Sequence, residues 1–206
     1  MGMNAPITAA RVPAEVVSAL NAAQRPIAIA HVVPDADALG ASMAVVLALR
    51  AAGRAAKLAL PDNSVSQRLR FLVERARPEI ATPEDFTAAD AFIVVDTAKK
   101  ERCNVGPHLK ATDWSAGRPI INVDHHASRT RFGTANWVDD RASSASELIY
   151  HLLRAAELTL TPVAASLLYA GIQTDTLGFS LPTVGPSALR AAADLVCQDL
   201  KRELTG

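Results

Sequence analysis

An α/β fold, with a mostly parallel sheet carrying helices on both faces, is the architecture this chain encodes. Three observations point to it. Short apolar runs such as Ala91-Phe-Ile-Val-Val95 and Pro119-Ile-Ile-Asn-Val123 lack the alternation of a half-exposed strand; strands buried on both faces read this way. Segments of helical length and spacing separate these runs, so strand and helix alternate along the chain. Acidic and imidazole residues follow directly on several of the strands, at the ends where open parallel sheets place their chemistry.

Taken in order, Pro13 to Ala23 has helical spacing, with Val16, Val17 and Leu20 on one side. Pro26 to His31 is a short apolar β run. Ala38 to Ala52 is apolar on nearly all sides, which predicts a buried helix stopped by Gly53 as its C′ residue. Ala55 to Leu60 is the next strand, ended by Pro61-Asp62-Asn63, and Ser66 to Glu74 a short helix. Ala91 to Val95 is a fully buried strand, and Lys99 to Asp113 a helix or two irregular turns. Ile120 to Val123 is a strand and Thr134 to Val138 a shorter one. Ser143 or Ser144 opens a helix through Ala156, and Ser144 with Glu147 matches a capping box. Pro162 starts a helix that Val163 to Ile172 continues, and Gly185 to Leu204 forms the last one.

Composition narrows the function. At 206 residues, half of them apolar and few aromatic, the chain can bury one domain, or one large and one small, with close helix-on-sheet packing. Its 21 basic and 21 acidic residues cancel, which disfavours long duplex nucleic acid but not small phosphorylated ligands held through metals. Cys103 and Cys197 are far apart and outside any CxxC spacing, which argues against a disulfide scaffold or zinc ribbon and fits a reducing cytoplasm. No basic segment followed by an apolar one opens the chain, and the longest apolar run, Ala38 to Leu49, is too short to span a bilayer. A soluble cytoplasmic protein is expected.

Five clusters carry metal-capable side chains. His31-Val-Val-Pro34-Asp35-Ala-Asp37 places two aspartates in the loop between strand and helix. Asp37 alone could be a helix N-cap, and His31 alone a hydrogen-bonded core histidine, but capping does not account for the whole HxxPDxD pattern. Asp96 ends a buried strand, where it could cap the next segment or bridge two cations. Asp124-His125-His126 closes another strand; adjacent histidines in a loop diverge, so one of them is the direct ligand. Asp175 lies in Gly171-Ile-Gln-Thr-Asp175, in a helix that should be buried, and a buried carboxylate needs a partner or a metal. Asp139 and Asp140 read mainly as a charged loop with Arg141. His108 and His151 read as surface or second-layer residues, and Ser143, Ser144 and Glu147 mainly as caps, with a substrate contact from Ser144 as the sharper alternative. Carboxylates crowded into one crevice repel one another unless cations neutralise them, so the pattern reads as a metal-dependent hydrolase.

In order, HVVPDADALGAS, FIVVD, VDHH and GIQTDT resemble the four motifs of the DHH phosphoesterase superfamily, over about residues 20 to 200. DALGAS, ASSASELIY and GIQTDT resemble its RecJ-like branch of oligoribonucleases and pAp phosphatases, some labelled exopolyphosphatase-related. The resemblance implies a Rossmann-like DHH catalytic domain over 1–206, without the glycine-rich C-terminal substrate-binding domain that members usually carry. It implies two Mn²⁺ ions, with Mg²⁺ or Co²⁺ as substitutes: one on His31, Asp35 and Asp96, the other on Asp37, Asp96, His125 and Asp175. A water acidified between them would attack phosphorus in line. Asp96 and His125 would serve catalysis as ligands, and His126 would face the substrate phosphate. Asp124 would orient a ligand, and Gly171, Thr174 and Thr176 would shape the loop around Asp175. The implied activity is hydrolysis of short oligonucleotides or 3′,5′-bisphosphonucleotides to mononucleotides, with no membrane partner and with a homodimer compatible. The alternatives are a phosphoanhydride or cyclic-dinucleotide hydrolase, or a nucleotide-binding module without turnover.

Overall fold

The computed structural model describes residues 7–8, 11–60, 65–103, 115–128 and 130–203. Its centre is a five-stranded, all-parallel sheet in the order β2-β1-β3-β4-β5, formed by β1 (Pro26–Ile29), β2 (Lys57–Ala59), β3 (Ala91–Val95), β4 (Ile120–Asp124) and β5 (Ala135–Val138). From β1 the chain moves out to the edge strand β2, then returns across to β3 and continues the other way. The direction of winding therefore reverses between β1 and β3, and the carboxyl ends flanking such a reversal open a crevice. Residues 30–37 and Asp96 leave the sheet at this point.

One face of the sheet carries most of the helices: α1 (Ala14–Ala22), α2 (Ala36–Ala51), α5 (Ala145–Ala155), α6 (Pro162–Asp175) and α7 (Pro186–Glu203). The short α3 (Arg70–Ala76) joins them through Leu72 and Ala76. The core here runs through Leu39, Met43, Leu148, Leu167 and Leu168 to Ile93 and Ile121. The opposite face is covered more lightly, by α4 (Pro83–Ala88) and adjoining loops, with Phe86 stacked on Phe92 at 6.0 Å and Cys103 buried beside Ile29 and Val94. The sequence analysis did not anticipate α4, although its signal is local: Thr82 and Asp85 form a capping box with Pro83 at the first position.

α2 starts two residues before the predicted Ala38, because Asp35 is its N-cap and accepts the Ala38 N–H at 2.9 Å. Asp37 thus lies in the first helical turn and not in the preceding loop. The predicted stop holds: Gly53 has φ +80°, and the Gly53 and Arg54 N–H groups donate back to the Arg50 and Leu49 carbonyls. α2 is apolar all round because it is wedged between the sheet and α6. At Gly40 a β-carbon would come within 2.6 Å of the Leu167 carbonyl oxygen, so the helices meet at backbone contact. Residues 67–76 begin with a 3-10 turn before α3. In the stretch 99–113 only the 3-10 turn Lys100–Arg102 and Cys103 fall within the described residues. His108 and Pro61-Asp62-Asn63 lie outside them.

Candidate metal centre

Four loops converge above the carboxyl edge of β1, β3 and β4. β1 delivers His31, which is 3 % exposed, and the N-terminus of α2 delivers Asp35 and Asp37. β3 delivers Asp96, which adopts φ +60°, a left-handed conformation that aspartate tolerates better than most residues. Asp124, at the end of β4, is fully buried, and His125 and His126 follow it.

Asp96 is the hub. Its Oδ2 lies 3.6 Å from His31 Nε2, and its Oδ1 3.3 Å from His125 Nε2 and 3.7 Å from His126 Nδ1. Oδ1 is buried, yet no donor is aligned on it as a hydrogen bond. His125 Nε2 also lies 3.5 Å from Asp175 Oδ2 and 4.0 Å from Asp37 Oδ2, so three carboxylates surround one imidazole nitrogen. The potential ligand atoms form three compact sets, each spanning no more than 4.8 Å: His31, Asp35 and Asp96; Asp37, His125 and Asp175; Asp96, His125 and His126.

The electrostatics match a site that lacks positive charge. Burial and the neighbouring Asp96 charge push the Asp37 carboxyl well up. Burial acts the same way on Asp96, but the contacts with His125 and His31 outweigh it and hold that carboxyl low. Burial also opposes a charge on His125, and the surrounding aspartates overcome it, raising the imidazole to about 9. A proton on His125 thus takes the place of a cation. Asp175 is raised, first by burial.

The two adjacent histidines do not diverge as fully as the sequence suggests. Their rings lie 4.9 Å apart and both reach Asp96 Oδ1. Asp124 accepts from His126 Nδ1 at 2.7 Å and from its backbone N–H at 3.3 Å, so the ring it orients is His126. That contact is the main reason the His126 imidazole is raised. His126 keeps 45 % of its side chain exposed and Asp175 30 %, so Asp175 is half-buried and not enclosed.

Three expected placements change. Asp175 is the last residue of α6, so Gly171 and Thr174 belong to that helix and not to a loop around it; Thr174 and Thr176 bond back to α6 carbonyls. Ser144 is fully buried and its hydroxyl caps α5 at the Glu147 N–H, so it offers nothing to the open crevice; Glu147 returns to Ser143 rather than completing the box with Ser144. His151 is a core residue, 9 % exposed and bonded to Ser187, because its side of α5 faces α7. Asp139 and Arg141 pair with each other, as a charged loop would.

Two features were missed in the sequence. The Ala145 and Ser146 N–H groups, at the N-terminus of α5, donate to the two Asp37 oxygens at 2.6 and 2.8 Å. A run of serines before a helix signals such an anion site, but not which anion fills it. Gly171 makes room for the contact: a β-carbon there would lie 2.0 Å from Ser146 Oγ and 2.8 Å from Asp37 Oδ1. The other is Arg102, half-buried, with a guanidinium nitrogen 3.1 Å from His31 Nδ1.

Residues 26–172 match the model of the DHH family, N-terminal domain. This chain belongs to the DHH family. The bifunctional oligoribonuclease and PAP phosphatase NrnA of Thermus thermophilus is 32% identical over 194 residues, covering 92% of this DHH chain and 56% of its own length. The chain thus spans little more than half of the curated relatives it matches. In fold, the DHH chain is similar to an exopolyphosphatase-related protein from Bacteroides fragilis (TM-score 0.79, 18% identity, covering 94% of this chain and 59% of that one). It is also similar to the exonuclease RecJ bound to manganese (TM-score 0.53, 19% identity, 96% and 50%). No helix among the described residues is long and apolar enough to cross a membrane.

Proposed function

We propose that this chain is a two-cation phosphoesterase, with Mn²⁺ the preferred ion, that hydrolyses short oligonucleotides or 3′,5′-bisphosphonucleotides to mononucleotides. The observation that carries the reading is Asp96, shared between two sets of ligand atoms and keeping a buried oxygen that no hydrogen bond satisfies. His31, Asp35 and Asp96 would hold one ion; Asp37, Asp96, His125 and Asp175 the other. Carboxylates with one imidazole at each position suit Mn²⁺, with Mg²⁺ or Co²⁺ as substitutes, and the solved RecJ is bound to manganese. His31 fits the role in detail: Nδ1 lies 2.8 Å from the Val32 carbonyl, which holds a proton there and leaves the Nε2 lone pair toward Asp96. The substrate class follows the name of the Thermus thermophilus relative.

When bound, such a pair neutralises phosphate charge and lowers the pKa of a water. The chain's own residues do the rest. Asp124 holds the proton of His126 Nδ1 and keeps the half-exposed ring in place. Nε2 is the nitrogen left for the substrate, where its N–H can donate to a phosphoryl oxygen or to the leaving oxygen. The N-terminus of α5 anchors Asp37, so one side of the crevice is rigid before substrate arrives.

The test is release of mononucleotide from a 5′-labelled RNA dinucleotide by the 206-residue chain. Turnover that needs Mn²⁺ and stops with a chelator is the expected result. No turnover of dinucleotide or adenosine 3′,5′-bisphosphate, with Mn²⁺ bound, would overturn the assigned reaction for this chain.

A further inference from the structure

Arg102 ends the 3-10 turn that follows β3, and the Val32 N–H donates to its carbonyl at 2.9 Å, tying it to the His31 loop. Its guanidinium has a single side-chain neighbour within hydrogen-bond distance, His31 Nδ1 at 3.1 Å. That nitrogen also lies 2.8 Å from the Val32 carbonyl. One ring nitrogen cannot donate to a carbonyl and accept from a guanidinium at once. A His31 that offers Nε2 to an ion carries its proton on Nδ1, and the Arg102 donors then have no acceptor. Among the described residues no carboxylate lies within 4.0 Å of this guanidinium, although the crevice beside it is lined with aspartates.

A half-buried guanidinium without an acceptor is costly unless an anion reaches it, and its fork of N–H groups suits phosphate. The two ring nitrogens of His31 point away from each other, so Arg102 lies on the side of the ring remote from Asp96. That position is outward of the reacting phosphoryl group, at the place of a neighbouring one. We infer that Arg102 binds a second phosphate of the substrate, the 5′-terminal one, and so selects 5′-phosphorylated nucleotides; this rests on the phosphoesterase reading above.

The test compares wild type, R102Q and R102K on an RNA dinucleotide with a 5′-phosphate and the same dinucleotide without it. In R102Q, kcat/KM for the phosphorylated substrate is expected to fall at least tenfold further than for the 5′-hydroxyl one, through KM, with R102K recovering part of the difference. Mn²⁺ affinity by calorimetry should match wild type. An equal loss on both substrates, a loss confined to kcat, or weakened Mn²⁺ binding would mean that Arg102 acts through His31, and overturns the inference. If the wild-type chain turns over neither dinucleotide, the phosphoesterase reading fails by itself, and protection against thermal unfolding decides the role of Arg102. Adenosine 3′,5′-bisphosphate protecting wild type more than R102Q supports it; equal or absent protection sinks it.

Discussion

At the scale of single residues, Asp96 and Val33 both adopt left-handed backbone conformations beside the site, at φ +60° and +51°. For Asp96 the conformation turns the carboxylate to where two ligand sets meet. Asparagine tolerates the same backbone and keeps the shape while removing the charge, so D96N is the clean probe. Loss of residues that merely orient metal ligands already costs 10–100-fold in affinity or activity, so D96N should cost at least about 100-fold in Mn²⁺-dependent hydrolysis. Its circular dichroism should match wild type; retained turnover would remove Asp96 from the site. Val33 is different, since a β-branched residue at positive φ is strained and this one is 72 % exposed, with little packing to lose. V33N should relieve about 1 kcal/mol of that strain and raise the midpoint of thermal unfolding by a few degrees. An unchanged or lower midpoint would mean that Val33 is held by contacts worth more than its strain.

Between elements, two glycines decide how closely helices approach. G40A would drive a methyl group against the Leu167 carbonyl at 2.6 Å, and backbone cannot swing aside. The forced separation of α2 and α6 should cost about 1–3 kcal/mol, seen as a lower denaturant midpoint. Gly171 lies on the same interface, but its neighbours are Ser146 Oγ and Asp37 Oδ1. G171A should therefore weaken Mn²⁺ binding as well as stability, whereas G40A acts mainly on stability. Calorimetric titration of both variants separates the effects; equal Mn²⁺ affinity in G171A and wild type would show that Asp37 tolerates the shift.

For the whole molecule, two linked equilibria set stability. Cations that bind only the folded chain stabilise it by mass action, by about 2.7 kcal/mol at a hundredfold excess over Kd. Mn²⁺ should raise the unfolding temperature of wild type and do far less for D96N; equal shifts would place the binding elsewhere. His151 works through protons. Burial lowers its imidazole to about 4, against about 6.5 in an unfolded chain. Between those values the unfolded state binds more protons, so stability rises with pH across this window and is level above it. Replacing His151 with leucine should flatten the part of the profile between about pH 4 and 6.5; an unaltered slope would assign it to other groups.

The strands, the large helices and the ligand types were legible in the sequence because each signal acts over a few residues. Apolar runs too short for helices predict buried strands, and Gly53 ends α2 through its own backbone. The motif residues His31, Asp35, Asp37, Asp96, His125 and Asp175 could be singled out by type and position. What they touch could not. Asp37 meets Ala145 across 108 residues of chain, and the serines that looked available for substrate are spent on caps. Arg102 lay in a stretch with no regular period, and His151 looked like a surface residue until α7 packed over it. Local sequence determined which elements form and which chemistry they carry. Only tertiary packing decided which donors share a crevice and which buried polar groups find partners, because those contacts join segments with no local signal in common.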